Sequence, residues 1–114
     1  MKDLKIIDIL QSPVAISPSA GLKVFEVINS FINKEESIRL FFDGIEDCTT
    51  AFCNATIGKL FMRYSQEKLK QLLIFPDLDQ FPIWKDKIER SIQLGTDENM
   101  RESHQQNLTD LLAS

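Results

Sequence analysis

The spacing of apolar residues changes several times along the chain, and each change predicts an element. Residues 3–10, with the sequence DLKIIDIL, are rich in Ile and Leu over the length of a strand, and the two Ser-Pro steps that follow break any helix. From Pro18 the apolar residues recur at helical spacing, and Ser17 precedes them as a suitable N-cap. We therefore predict a strand over 3–10, a loop, and an amphipathic helix that begins at Pro18.

Two further short apolar runs predict strands. Residues 37–44, with the sequence SIRLFFDG, place large apolar side chains between polar segments, which is typical of a strand covered on both faces and central in a sheet. Helical spacing then returns, and a second helix is predicted to begin at or near Thr49. The run LLIF, which is stopped by Pro76, predicts a third strand over 70–75.

The last third of the chain is predicted to form two helices. The apolar residues from Phe81 to Ile92 share one helical face, and Gly95 stands where a C′ residue would end this helix. Thr96 and the acids after it suit the start of a last helix. The apolar residues of this last helix form a thin stripe, which favours weak packing or docking on a partner. They are Met100, Leu108, Leu111 and Leu112.

The predicted order of elements is strand, helix, strand, helix, strand, helix, helix. Such alternation indicates an α/β fold with parallel neighbours and right-handed crossovers. A length of 114 residues suits one compact domain with a single core. In open sheets of this kind, functional sites lie at the carboxyl ends of the strands. The segment DGIEDCTT, residues 43–50, follows the predicted central strand and is therefore the expected site.

Charge and composition argue against several classes of function. The net charge is −4 and no basic cluster is present to neutralise a run of phosphates, so nucleic acid is not expected as a partner. No apolar run approaches the ~20 residues of a membrane span, and neither a membrane partner nor a secretory signal is predicted. The chain is expected in the cytoplasm, with Cys48 and Cys53 as small buried or half-buried thiols. His104, the single histidine, is expected on the surface.

The chemistry available in the expected site is limited. The chain lacks the glycine-rich phosphate loops and the nucleophile and metal motifs of common enzymes, so no catalytic residue, cofactor or metal is predicted. Asp43, Glu46 and Asp47 leave a Mg²⁺ site open as an alternative, although acids before a helix also complement its dipole. Thr49 and Thr50 leave two interpretations open: a hydroxyl that only caps the helix, or a hydroxyl that accepts a phosphoryl group.

A wider pattern combines this turn with the helix after it. Its residues are Gly44-Ile45-Glu46, Thr49-Thr50, Phe52, Asn54 and Ile57-Gly58-Lys59-Leu60. The pattern resembles the signature of the STAS-like domains of unknown function, in which a strand end is followed by small hydroxyl residues, a phenylalanine and a helix with a glycine. Those domains are similar in turn to the STAS domain of bacterial anti-sigma factor antagonists, where an Asp-Ser-Ser-Gly turn opens the corresponding helix.

The resemblance distinguishes the two threonines. When Gly58 is aligned with the matching helix glycine, Thr50 stands at the position of the antagonists' phosphorylated serine. Thr49 then replaces their Asp, and Phe52 replaces their Gly. This chain therefore has a hydroxyl residue at the phosphorylated position of the antagonists, whereas the residues around that position differ.

The resemblance implies a fold and a function for the chain. The implied fold is a single-domain STAS-like sheet of about four mixed or parallel strands flanked by three to four helices, over residues 1–95, with 96–114 as a C-terminal helical tail. The implied function is that of a non-enzymatic regulatory domain, which binds an anti-sigma factor or a histidine-kinase-type ATPase and is switched by phosphorylation of Thr50. The binding turn would comprise Asp43, Gly44, Glu46, Asp47 and Thr49. The partner-binding surface would add Asn54, Lys59 and Arg63.

One alternative to this switch stays open. The chain would then be a constitutive interaction or assembly domain, in which Thr49 and Thr50 act only at the helix cap and the last helix docks on another chain. The sequence leaves the oligomeric state open, a dimer included.

Overall fold

A computed structural model of the chain describes the backbone of residues 1–113 and the side chains of residues 1–101. Five strands and five helices follow one another in this part of the chain. The strands are β1 (Lys2–Lys5), β2 (Val14–Ala15), β3 (Ile38–Phe41), β4 (Asp47–Cys48) and β5 (Leu73–Ile74). The helices are α1 (Ile6–Leu10), α2 (Pro18–Ile32), α3 (residues 50–63), α4 (Gln66–Leu72) and α5 (Pro82–Ala113), with a 3₁₀ turn at Leu78–Gln80.

The strands form two sheets, in which every pairing is parallel. The larger sheet has the order β1-β3-β5, and the smaller one pairs β2 with β4 so that Ala15 lies opposite Cys48. The predicted α/β class, the parallel pairing and the central position of β3 are therefore confirmed. The resemblance implied one sheet of about four strands, whereas the described chain has five strands in two sheets, since β2 and β4 pair with each other and not with the larger sheet.

The larger sheet is covered on one face only. Ile38 and Leu40 of β3 are fully buried, whereas Arg39 between them is exposed. On the exposed face, Arg39 donates through Nε and Nη2 to the carboxylate of Asp3 on β1, at 2.6 and 2.8 Å. The expectation that this strand is covered on both faces is wrong, because side chains alternate along it between the core and solvent.

α3 is an unbroken helix that contains an irregular turn. Its three parts are Thr50–Cys53, a π-helical turn at Asn54–Gly58, and Lys59–Arg63. Both α2 and α5 pack against the π-helical turn. Gly21 permits the approach of α2, since a Cβ there would lie 2.7 Å from the carbonyl oxygen of Phe52. Thr56 reinforces it by donating its hydroxyl to the carbonyl oxygen of Gly21 at 2.6 Å.

The first predicted strand is correct only over its first half. β1 ends at Lys5, and residues 6–10 form α1, which buries Ile6 and ends at Gln11 in the left-handed conformation with φ 55°. Apolar residues at positions 6, 9 and 10 have helical spacing within a run that also suits a strand. Packing of one helical face on the core therefore determined the structure here.

The third predicted strand is also largely helical. The predicted range 70–75 overlaps α4, whose N-cap is Ser65 and which buries Leu69; only Leu73–Ile74 pair as a strand. Ser65 accepts a hydrogen bond from the amide of Lys68 at 3.2 Å, which fixes the helix start upstream of the apolar run. Leucines at 69, 72 and 73 again have helical spacing.

The prediction that one helix ends at Gly95 and another begins at Thr96 is wrong. α5 runs without a break from Pro82 to Ala113, and the predicted boundary between 1–95 and 96–114 falls inside it. Although this helix has 32 residues, none of the described helices combines the length and apolarity that a membrane crossing needs. The side chains of His104 and of the predicted stripe beyond Met100 lie outside the described residues.

Candidate functional site

The chain leaves the carboxyl end of β3 in a tight turn. Gly44 has φ 89°, a conformation that favours glycine, and the amide of Ile45 donates to the carbonyl of Phe42 at 3.0 Å. Phe42 and Ile45 are buried and anchor the turn on the core. The three acids predicted for this turn are all exposed. They are Asp43, Glu46 and Asp47.

A buried carboxylate holds the start of the turn, and sequence reasoning did not find it. Asp77, in the loop between β5 and the 3₁₀ turn, accepts hydrogen bonds from the amide of Phe42 with both carboxylate oxygens at 3.0 Å. It also accepts from the amide of Asp43 at 2.9 Å. Asp77 is only 9% exposed. The only local signal was the Pro76-Asp77 step, which is common in ordinary turns.

The smaller sheet ties the other end of the turn to the segment before α2. The amide of Glu46 donates to the carbonyl of Pro13, and the amide of Thr49 donates to the carbonyl of Ala15. The hydroxyl of Thr49 donates to the carbonyl of Ile16 at 2.7 Å. The strand-to-helix connection is therefore bonded along its length and does not form a free loop.

Thr49 is the N-cap of α3, which confirms the interpretation of this residue as a cap. Its φ and ψ of −96° and 161° are extended, and its hydroxyl oxygen accepts from the amide of Phe52 at 3.2 Å. The same oxygen is the donor to Ile16, so one hydroxyl joins the helix start to the neighbouring segment. The Thr49 hydroxyl therefore both donates and accepts a structural hydrogen bond.

Thr50 is the first helical residue of α3 and is exposed to solvent. Ala51, which follows it, is exposed as well, whereas Phe52 and Cys53 are buried. A group attached to the Thr50 hydroxyl would therefore point away from the core. It would also lie at the positive end of the helix dipole.

The three residues predicted for a partner surface on α3 are all exposed, but they lean toward different neighbours. Asn54 accepts a hydrogen bond from the hydroxyl of Ser91 on α5 at 2.7 Å. Lys59 places its ammonium 4.7 Å from the ring centre of Phe25 on α2, and Arg63 lies over the ring of Tyr64. Asn54 therefore faces α5, Lys59 faces α2, and Arg63 lies near the end of α3.

The acids of the turn do not converge. Among the residues that the structure describes, no three His, Cys, Asp or Glu side chains are grouped closely enough to hold a metal ion. Asp43 lies 4.0 Å from the ammonium of Lys5. The geometry therefore gives the Mg²⁺ alternative no support.

Cys48 and Cys53 flank the two threonines in the sequence. Both side chains are fully buried free thiols, as predicted, and their sulfurs are 3.5 Å apart. Lys87 of α5 donates its ammonium to the carbonyl oxygen of Cys48 at 2.8 Å. The hydrogen bond between the thiols, together with the Lys87 charge, lowers the pKa of Cys53 against the opposing effect of burial. The same hydrogen bond and burial raise the pKa of Cys48, although the Lys87 charge acts in the opposite direction there.

An open groove of about 350 Å³ lies beside the turn, at the start of α5. Phe81 and Trp84 stack in it with ring centres 4.6 Å apart, and Ile83 is 73% exposed. Phe81 and Trp84, which were predicted to share one apolar face with Ile88, pack against the core but are only partly buried. The groove is lined by Glu46, Gln80, Phe81, Pro82, Ile83 and Trp84.

Comparison with known families identifies the fold to which this site belongs. The profile of the STAS-like domain of unknown function matches residues 21–80, which is just over half of the 114-residue chain and extends from α2 to the 3₁₀ turn. No curated protein and no solved structure matches the chain significantly. The match includes the turn, both threonines and all of α3. The chain belongs to the family of STAS-like domains of unknown function.

Proposed function

We propose that this chain is a non-enzymatic regulatory domain that binds a protein partner through the start of α3 and the turn at residues 43–47, called here the acidic turn. We also propose that phosphorylation of Thr50 releases the partner. The proposed partner is an anti-sigma factor or another histidine-kinase-type ATPase, as the similarity to anti-sigma factor antagonists implies. One observation carries the proposal: the hydroxyl of Thr49 is occupied in the cap, while Thr50 is exposed at the first helical position. A kinase can therefore modify Thr50 without removing a structural hydrogen bond.

Charge explains how a phosphoryl group would act there. A phosphothreonine brings about −1.5 to −2 charges, and the helix N-terminus accommodates an anion. The neighbouring Glu46 and Asp47 are exposed carboxylates of the same sign. Phosphorylation would therefore make an already acidic surface strongly negative, and a partner that docks on this surface would be repelled.

The surroundings offer a suitable docking surface. The exposed side chains of α3 include Lys59 and Arg63, which supply positive charge, and Asn54, which supplies an amide. The groove with Ile83 and the stacked Phe81 and Trp84 supplies apolar area next to Glu46. Apolar area rimmed by charged residues is typical of protein interfaces.

Intact mass spectrometry tests the switch. The chain is incubated with ATP and each purified histidine-kinase-type ATPase from the same genome, and one phosphoryl group adds about 80 Da. We expect this shift in the natural protein and in Thr50→Ser, and its loss in Thr50→Ala. The absence of any shift with every kinase of this type, or a shift that persists in Thr50→Ala, would refute the switch.

The alternative of a constitutive assembly domain is favoured by a different observation. Leu94 and Met100 of α5 are 59% and 67% exposed, and the helix continues beyond them. Combining Leu94→Ser with Met100→Ser tests it, because the double substitution removes this exposed apolar area without shortening α5. Loss of self-association in sedimentation, with an unchanged circular dichroism spectrum for the variant, would support the assembly role. An unaltered sedimentation coefficient would count against it.

A further inference from the structure

The two cysteines are arranged as a pair and belong to different elements. Cys48 ends β4, and Cys53 lies in the first turn of α3. The chain between them contains Thr49 and Thr50, so the pair closes a short loop around the helix start. The sulfurs are 3.5 Å apart, whereas a disulfide requires about 2.05 Å. A displacement of about 1.5 Å, shared by two side chains, would join them.

The surroundings make the two thiols unequal. Cys53 is the fourth residue of α3, and the hydrogen bond that its thiol shares with Cys48 lowers its pKa. The positive charge of Lys87 favours ionisation of both thiols. The same hydrogen bond and burial raise the pKa of Cys48, and the weaker charge of Asp47 adds to them. Cys53 is thus the better nucleophile, and Cys48 is placed to resolve it. Two cysteines in equivalent surroundings would not be expected to differ in this way as attacking and resolving thiols.

We propose that Cys48 and Cys53 form a redox-active pair, which hydrogen peroxide converts to an intramolecular disulfide. The Cys53 thiolate attacks one peroxide oxygen, the O–O bond breaks, and the hydroxide that leaves is protonated to water. The sulfur of Cys48 then attacks the resulting sulfenic acid, the S–O bond breaks, and the Cys48 proton leaves with the hydroxide as a second water. Two thiols lose two electrons, and one peroxide is reduced to two waters.

Burial sets the conditions for this reaction. Both sulfurs are inaccessible in the closed structure, so a small oxidant and a local opening of the first turn of α3 are required. Once formed, the disulfide links β4 to α3 across Thr49 and Thr50 and restricts that opening. Any effect of this restriction on partner binding rests on the proposed function, whereas formation of the disulfide does not.

The full-length chain, reduced and freed of reductant, is the material for the test. It is treated with hydrogen peroxide while folded, then unfolded in guanidinium with a maleimide, and its mass is measured. We expect a loss of about 2 Da, for two hydrogens, with no maleimide added, and two maleimides after reduction. Hydrogen exchange of the oxidised protein should be slower at the amides of Phe52 and Cys53, which are the hydrogen-bonded amides of this turn.

Variants assign the roles. Cys48→Ser should leave a sulfenic acid at position 53 that dimedone traps, and Lys87→Met should slow disulfide formation several-fold. Lys85→Met is the matched control, because Lys85 lies on the same helix but pairs with Asp79. Two maleimides on the peroxide-treated natural protein, or overoxidation of Cys53 with Cys48 unchanged, would overturn the proposal. So would disulfide formation at an equal rate in the Lys87 and Lys85 variants.

Discussion

Gly95 of α5 lies directly against the backbone of Gly58 in the π-helical turn of α3, and a Cβ at position 95 would be 2.2 Å from the carbonyl oxygen of Gly58. The contact explains why α5 passes through a residue that sequence reasoning placed at a helix end. Glycine is used here for the close approach of two backbones, and this approach keeps α5 against the helix that carries the candidate site.

The two glycines should respond differently to alanine. Gly95→Ala forces a backbone to move, and we expect it to lower the free energy of unfolding by about 1 to 3 kcal/mol, although alanine is the better helix former. Gly58→Ala meets only an ordinary contact of 3.5 Å with the carbonyl oxygen of Ser91, so we expect no loss, and a gain of up to about 1 kcal/mol. Urea unfolding of both variants measures the difference; equal effects would contradict the proposed packing.

The adjacent threonines should also differ in their contributions to stability. Thr49→Ala removes the cap to Phe52 and the hydrogen bond to Ile16, and we expect a loss of about 1 to 2 kcal/mol. Thr50→Ala removes an exposed hydroxyl, so its free energy of unfolding should stay within about 0.5 kcal/mol of that of the natural protein. Thermal unfolding compares the pair. A large loss in Thr50→Ala would show that its hydroxyl is structural and would weaken its use as a test of phosphorylation.

The elements that sequence reasoning found correctly are those whose causes are local. Ser17 caps α2 through the amide of Ala20, and Thr49 caps α3 through the amide of Phe52, each three residues away. Asp77 was missed because its partner Phe42 is 35 positions distant, and only the folded chain brings them together. Similarly, no local pattern separates a glycine that ends a helix from one such as Gly95 that permits a close approach.

Asp77 is expected to control the shape of the acidic turn. Asp77→Ala leaves the buried amide of Phe42 without an acceptor and also removes a bond to Asp43, so we expect a loss of about 2 to 3 kcal/mol. Asp79→Ala is the matched control, since its pair with Lys85 is exposed, and it should cost less than about 1 kcal/mol. Denaturant unfolding gives both values. If the two variants were equally stable, the carboxylate of Asp77 would not be holding the turn.

Asn99 tests whether the chain beyond residue 95 belongs to the folded body. Its amide donates to the carbonyls of Phe61 and Tyr64, at 3.2 and 3.0 Å, where α3 ends and its carbonyls lack helical partners. We expect Asn99→Ala to cost about 1 to 2 kcal/mol in urea unfolding, because these part-buried carbonyls lose their donor. Gln93→Ala, which removes only an exposed bond to Asp97, should change stability by less than about 0.5 kcal/mol. An unchanged midpoint for Asn99→Ala would contradict this role and would agree with the predicted domain boundary at residue 95. The expected loss would mean that the part of α5 beyond residue 95 stabilises the folded body and is not a separate tail.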